Sequence, residues 1–243
     1  MTPALCIGDG MKTIKLSKRL QAIADYVPLG ALPADIGTDH GYIPVWLVQR
    51  GIARRVIASD IGKGPLESAR RSAAEYGAAE QIDFVLADGL AGVRPGDADT
   101  VIIAGMGGET ICGILQAADW VKDSVQLILQ PQSKYELLCT WLGQNGFRID
   151  AGRLVQDEGR IYQIMCVRAD GVPKELDWQR DYIRGLLAAE NDPLLPAFLD
   201  GLIGKYRHMA AGMAKAADAA QDPEFTRIKR ELDDWISLKG EIL

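Results

Sequence analysis

Asp35-Ile36-Gly37-Thr38-Asp39-His40-Gly41 closes the short β-rich run Leu32–Ile36 and leads into the helical pattern Ile43–Arg50. A strand ending in a glycine turn that opens a helix is the first unit of a parallel α/β sheet. Its glycines let backbone approach a ligand at the strand's carboxyl edge. The spacing is D-x-G-x-x-x-G rather than G-x-G-x-x-G, so a pyrophosphate cradle is not required. An acidic residue ahead of the first glycine suits a cofactor bearing a cationic amino group and a sulfonium. Taken alone, the stretch reads equally well as a strand-end turn with helix-capping residues.

Working outward, short runs rich in Val, Ile, Leu and Ala recur at Arg55–Ser59, Ile82–Leu86, Asp99–Ile103 and Val125–Leu129. Such runs fit strands buried on both faces of a parallel sheet. Helical patterns lie between and after them at Pro65–Tyr76, Glu109–Ala117 and Lys134–Gln144. Gly51, Gly77 and Gly146 sit just past helix ends, where a left-handed cap favours glycine. Ahead of the core, Leu16–Val27 is amphipathic with Ser17 as its N-cap. Phe147–Val155 and Arg160–Arg168, joined by Gln156-Asp157-Glu158-Gly159, predict an antiparallel hairpin that closes the sheet. From Pro173 strand patterns give way to helical ones at Leu176–Glu190, Leu194–Ala219 and Glu224–Ile242. Two domains are therefore expected: a Rossmann-like α/β domain over 1–172 and a helical domain of coiled-coil character over 173–243.

Four further strand ends carry candidate chemistry. Asp60, about 25 residues after Asp35, is placed to accept both hydroxyls of a ribose. Asp88-Gly89, followed by Leu90, could accept from an adenine amine and wall the ring, although Asp-Gly is also a generic turn. Gly105, Met106, Gly107 and Gly108 allow close backbone approach where a group would be transferred, or simply connect a strand to a helix. Gln130 could meet the edge of a planar base, with Pro131 fixing the path of the Gln130–Ser133 segment. Carboxylates converging on one sheet edge are costly unless something pairs with them, so Asp35, Asp60 and Asp88 together point to a cationic ligand.

Composition bounds the class. Apolar residues make up 48% and charged residues 25% of 243, as in an ordinary globular protein. No apolar run approaches the ~20 residues of a membrane span, and the first residues lack the pattern of a signal peptide. Residues 1–10, ahead of Met11, read either as a disordered extension or as a remnant of cloning. Cys6, Cys112, Cys139 and Cys166 are widely spaced and the histidines number two, which makes a zinc site unexpected. Cys112, Cys139 and Cys166 read as buried thiols of a reducing cytoplasm. The net charge of −6 weighs against a broadly basic nucleic-acid binder but leaves room for a local patch. The oligomeric state stays open, a monomer among the options.

The wording DIGTDHGY, ASD, ADGL, AGMGG and QPQ, spread from Lys15 to Arg168, resembles the bacterial tRNA adenine-22 N1-methyltransferases, a family of class I S-adenosylmethionine-dependent enzymes with a C-terminal coiled-coil domain. The resemblance implies that Asp35, Gly37, Thr38, Asp39, His40 and Gly41 hold the methionine part of S-adenosyl-L-methionine. It assigns the ribose to Asp60 and the adenine to Asp88 and Gly89, and it makes Gly105–Gly108 the wall of the target-base pocket.

The chemistry is consistent on its own terms. Enzymes acting on an exocyclic adenine amine carry polar acceptors after the fourth strand, where this chain has Ala-Gly-Met-Gly-Gly. Adenine N1 has a free lone pair and needs alignment and desolvation more than a base. A tRNA substrate requires an unstacked base and cations for phosphate; Lys12, Lys15, Lys18 and Arg19, then Arg54, Arg55, Arg70 and Arg71, are the candidates, unless they are only a solvated face. His40 is expected to bond near the helix start rather than to contact the target base. The competing readings are a non-catalytic cofactor- or RNA-binding module and a methyltransferase for another substrate. A nicotinamide oxidoreductase is disfavoured by the missing fingerprint.

Overall fold

The computed structural model describes residues 12–214 and 222–242. Residues 1–10, with Cys6, and the last part of the expected Leu194–Ala219 helix therefore lie outside the described residues.

The chain runs α1 (Lys18–Ala24), β1 (Pro33–Ile36), α2 (Tyr42–Gln49), β2 (Val56–Asp60), α3 (Lys63–Glu75), β3 (Ile82–Leu86), β4 (Thr100–Gly107), α4 (Gly108–Gln116), β5 (Gln126–Ser133), α5 (Tyr135–Gln144), β6 (Phe147–Asp157) and β7 (Arg160–Ala169). The seven strands form one sheet in the order β3-β2-β1-β4-β5-β7-β6. The first five are parallel, and β7 enters antiparallel between β5 and β6. Ile102, Ile103, Leu127, Ile128 and Leu129 at the sheet's centre are fully buried, as the unbroken apolar runs require. Ser17 caps α1, its hydroxyl accepting from Leu20 N–H. The hairpin turn uses left-handed Glu158 and Gly159, the backbone pair that a right-handed hairpin twist favours.

Two strands run further than their sequence suggests. The glycines after Ile103 and the proline after Gln130 argue for loops, yet β4 continues to Gly107 and β5 to Ser133. They stay paired through a bulge that sets Met106 against Pro131 and Gly107 against Ser133. A bulge tolerates both the absent proline N–H and the glycines. The Gly105–Gly107 segment is thus bulged sheet rather than loop.

The chain divides into two compact units, one running through Tyr182 and the other starting at Ile183. Residues after Val172 still belong to the first: Trp178 Nε1–H donates to Gln163 Oε1 at 2.9 Å and Tyr182 O–H to the Ile164 carbonyl at 3.0 Å. Trp178–Ala188 is wound in the wide i→i+5 manner, not as the expected α-helix. In the second unit α6 (Leu195–Met213) and α7 (Pro223–Ile242) pack together, with Lys239 paired to Asp200 at 2.5 Å. Phe198, Leu199 and Ile203 of α6 and Ile228, Trp235 and Leu238 of α7 are their buried positions.

Candidate active site

Strand order reverses at β1, which has β2 on one side and β4 on the other. Connections leave the sheet in opposite directions there, opening a crevice at the carboxyl ends of β1 and β4. The β1–α2 turn builds its floor. Gly37 takes φ +75°, and the N–H groups of Gly37 and Thr38 both donate to the Ser59 carbonyl, at 2.8 and 3.0 Å. A Cβ on Gly37 would lie 2.3 Å from the Met106 methyl, so the turn and the end of β4 approach closely; the methyl at the end of that side chain can swing aside, and it is the positive φ that favours glycine here.

The crevice is a cavity of about 500 Å³, within the range of small-molecule sites. Asp35, Gly37, Thr38, Asp39 and His40 line it from the β1 turn, Asp60 from β2, and Ala104, Gly105 and Met106 from β4. Asp35 is 5% exposed, and its carboxylate accepts from the Thr38 hydroxyl at 2.7 Å. Burial pushes the Asp35 carboxyl up to about 6; the Thr38 bond opposes this and the charge of Asp60 adds to it. Asp60 uses one oxygen to accept from Gly62 N–H (2.8 Å) and the other to accept from Asp39 N–H (3.3 Å). His40 Nδ1 lies 2.9 Å from the Ser68 hydroxyl, and its ring stacks on Tyr42 at 5.3 Å. No cation among the described residues stands within ion-pair distance of Asp35 or Asp60.

Several predicted residues lie elsewhere. Gln130 is fully buried, accepts from Arg19 and donates to the Pro131 carbonyl, so it does not meet a base edge. Buried Pro131 pairs with Met106 in the bulge. Gly107 and Gly108 form the β4–α4 junction, where a Cβ on Gly108 would lie 2.4 Å from the Lys134 carbonyl oxygen. Gly41 starts α2 in the left-handed region. Asp88 is exposed and Gly89 packs on Ile114, both at the adjoining end of β3 and outside the cavity lining. Leu90 is buried at 3% exposure rather than left free to wall a ring.

The cavity also draws on residues the motifs did not single out for it: Leu20, Tyr42, Ile43 and Gln132. Tyr42 ended the wording DIGTDHGY without a role of its own, and Ile43 looked like the apolar start of a core helix. Gln132 would have emerged only by extending β5 through Pro131. Arg19, grouped by sequence with the phosphate-binding cations, lines this cavity instead. Among the other proposed phosphate contacts, Lys12 is paired with Glu75 and Arg55 with Asp83. A second cavity, about 670 Å³, opens at the amino ends of β1 and β2. Its charged residues are the mutually paired Arg55–Asp83 and Arg94–Asp97.

The uncompensated carboxylates fit a cationic ligand, and Asp60 with the 70% exposed Ile61 beside it offers acceptors next to an apolar surface, as a nucleoside requires. The sequence profile of the methyltransferase domain matches residues 16–165. The tRNA (adenine(22)-N(1))-methyltransferase of Bacillus subtilis (strain 168) is 32% identical over 238 residues, 96% of this chain and 99% of its own. The chain belongs to this methyltransferase family. The crystal structure of the B. subtilis m1A22 tRNA methyltransferase TrmK superposes with a TM-score of 0.75 at 30% identity, covering 94% of this chain and 98% of its own. Streptococcus pneumoniae Sp1610, solved in complex with S-adenosyl-L-methionine, gives 0.77 at 29% identity over 93% of this chain and all of its own. The family binds S-adenosylmethionine, a ligand whose two cationic groups match the acidic lining of the crevice at the β1–β4 switch point. No helix among the described residues is long and apolar enough to cross a membrane.

Proposed function

We propose that this enzyme methylates N1 of adenine 22 in tRNA, using S-adenosyl-L-methionine held in the β1–β4 crevice. The observation that carries the reading is the pair of cation-free carboxylates, Asp35 buried and Asp60 half-buried, facing a wall of small residues at the end of β4. The bound cofactor supplies an electrophilic methyl group on a positively charged sulfur. Asp35 and the Gly37–His40 turn receive the amino-acid end, and Asp60 accepts the ribose hydroxyls. Asp88 and Gly89, at the next strand end, are left for the adenine.

Ala104, Gly105 and Met106 present backbone and a thioether, with no side chain able to take up a proton. That absence suits N1, whose lone pair attacks without deprotonation. Gln132, the one amide lining the cavity, can accept from the base's exocyclic amine and so turn N1 inward. Its role is orientation and exclusion of water, which alone can lower the barrier substantially. The second unit is proposed to hold the tRNA: Lys205, Arg207, Lys229 and Arg230 are exposed on α6 and α7. The buried thiols of Cys112, Cys139 and Cys166 suit a cytoplasmic setting.

The test is transfer of labelled methyl groups to unmodified tRNA, followed by nucleoside analysis. Label in 1-methyladenosine, lost when adenine 22 is replaced, is expected. N6-methyladenosine would overturn the N1 assignment, and labelled protein beside unlabelled tRNA would overturn the substrate.

A further inference from the structure

β5 ends in a bulge, and Gln132 is the residue that the bulge leaves over. Pro131 stands opposite Met106 and Ser133 opposite Gly107, so no β4 residue is paired with Gln132. The ladder is broken at such a residue, which is therefore held less firmly than its neighbours. Pro131 ahead of it brings no N–H to the ladder either. The chain then turns from strand into α5 by putting Lys134 in the left-handed region at φ +57°, a conformation that lysine adopts only where its surroundings hold it. The Gln132 amide nonetheless sits where a fixed pose matters: it lines the crevice over Gly105, where a Cβ would be 3.7 Å from its Nε2.

One side chain reaches back to secure this turn. Tyr135, the first residue of α5, donates its O–H to the Gln132 carbonyl at 3.1 Å. Its half-buried ring stacks on Trp178, with centroids 5.1 Å apart and planes 20° from parallel. Trp178 is itself anchored: it is buried, and its Nε1–H donates to the fully buried Gln163 Oε1 at 2.9 Å. Burial raises the Tyr135 phenol above its ordinary value, and the Gln163 amide beside it opposes the rise. The hydroxyl therefore stays protonated, and a donor, across neutral pH.

We infer that Tyr135 is a positioning residue for methyl transfer: its hydroxyl, braced by Trp178, fixes the bulged Gln132 so that the amide meets the target base in one orientation. The inference rests on the reading that Gln132 accepts from the base's exocyclic amine. Trp178 also opens the wide-wound segment by which the chain leaves the first unit, so the aromatic pair ties the base pocket to the root of that segment.

Steady-state methylation of unmodified tRNA by the full chain, in a double-mutant cycle over Tyr135→Phe and Gln132→Ala, tests this. Phenylalanine keeps the ring on Trp178 and removes only the hydroxyl. Tyr135→Phe is expected to lower kcat by about three- to tenfold, the scale of one hydrogen bond, with KM for tRNA and affinity for S-adenosylhomocysteine unchanged. In the Gln132→Ala background the same substitution should cost nothing further, since no amide is left to orient. Losses that multiply in the double variant would overturn the inference, because the hydroxyl would then act elsewhere. A Tyr135→Phe enzyme with wild-type kcat, or one whose loss lies wholly in KM for tRNA, would overturn it too. Wild-type kcat in Gln132→Ala alone would refute the reading of Gln132, and wild-type protein inactive on tRNA would refute the substrate; the inference falls with either, and each is distinct from the other outcomes. A melting curve for each variant shows whether it is folded.

Discussion

Replacing Asp35 with asparagine separates the charge of this side chain from its shape. Without ligand, burial raises the Asp35 carboxyl from 3.8 to about 6, against the hydrogen bond from Thr38. A folded-state value above the unfolded one means that folding favours the protonated form. The associated stability is complete below about pH 4 and is lost as the pH rises through about 6. A gap of about two pH units corresponds to about 3 kcal/mol. Asparagine keeps an acceptor for the Thr38 hydroxyl and carries no charge. At about pH 7.5 the ligand-free Asp35→Asn protein should therefore be more stable than wild type by up to about 3 kcal/mol, or about 6–12 °C in Tm for a chain of this size. Its affinity for S-adenosylhomocysteine should fall at least about tenfold, because the ligand's ammonium loses its partner. Wild-type affinity should itself drop about tenfold per pH unit below about 6, while that of the variant stays flat. Thermal melts and calorimetry at about pH 5 and pH 7.5 supply both readouts. A folded variant that melts no higher than wild type near pH 7.5, or wild-type binding that is level across the range, would refute the argument that a buried, unpaired carboxylate waits for a cation.

Asp60→Ala should weaken cofactor binding by about 1–3 kcal/mol through loss of hydrogen bonds to hydroxyls; titration calorimetry showing unchanged affinity would reduce Asp60 to its contacts with Gly62 and Asp39. Gly108→Ala places a Cβ 2.4 Å from the Lys134 carbonyl and should cost about 1–3 kcal/mol in denaturant melts. Gly113→Ala, on the same helix with nothing within 4 Å, should be neutral or stabilising by about 0.5–1 kcal/mol. A chain ended after Val172 loses the buried Trp178 and Tyr182 and should fail to give a cooperative melt, since deleting each large core ring costs about 3–5 kcal/mol. A chain ended after Glu190 should fold, bind S-adenosylhomocysteine and lose affinity for tRNA; unchanged tRNA affinity would remove the RNA role from α6 and α7.

The sequence by itself determined the sheet and the edge of it that matters. Apolar runs of strand length, separated by helical patterns, can bury both faces only in a parallel α/β sheet. Gly37, Gly51, Gly77, Gly146 and Gly159 all take positive φ, so local backbone chemistry alone placed those turns. The convergence of Asp35 and Asp60 was likewise legible, because successive parallel strands deliver their ends to one edge. What the tertiary structure decided is everything that depends on pairing between segments distant in sequence. Glycines and a proline read locally as loop, yet β4 and β5 stay paired past them through a bulge, and that extension buries Gln130 and brings Gln132 to the cavity. Lys12 and Arg55 looked free until Glu75 and Asp83 came beside them. Arg19 belonged to a basic run in the sequence; it left that run only when Gln130, 111 residues away, turned its guanidinium over the crevice. Local propensity and periodicity are properties of neighbouring residues, whereas the partner that neutralises or orients a charge is chosen by the fold.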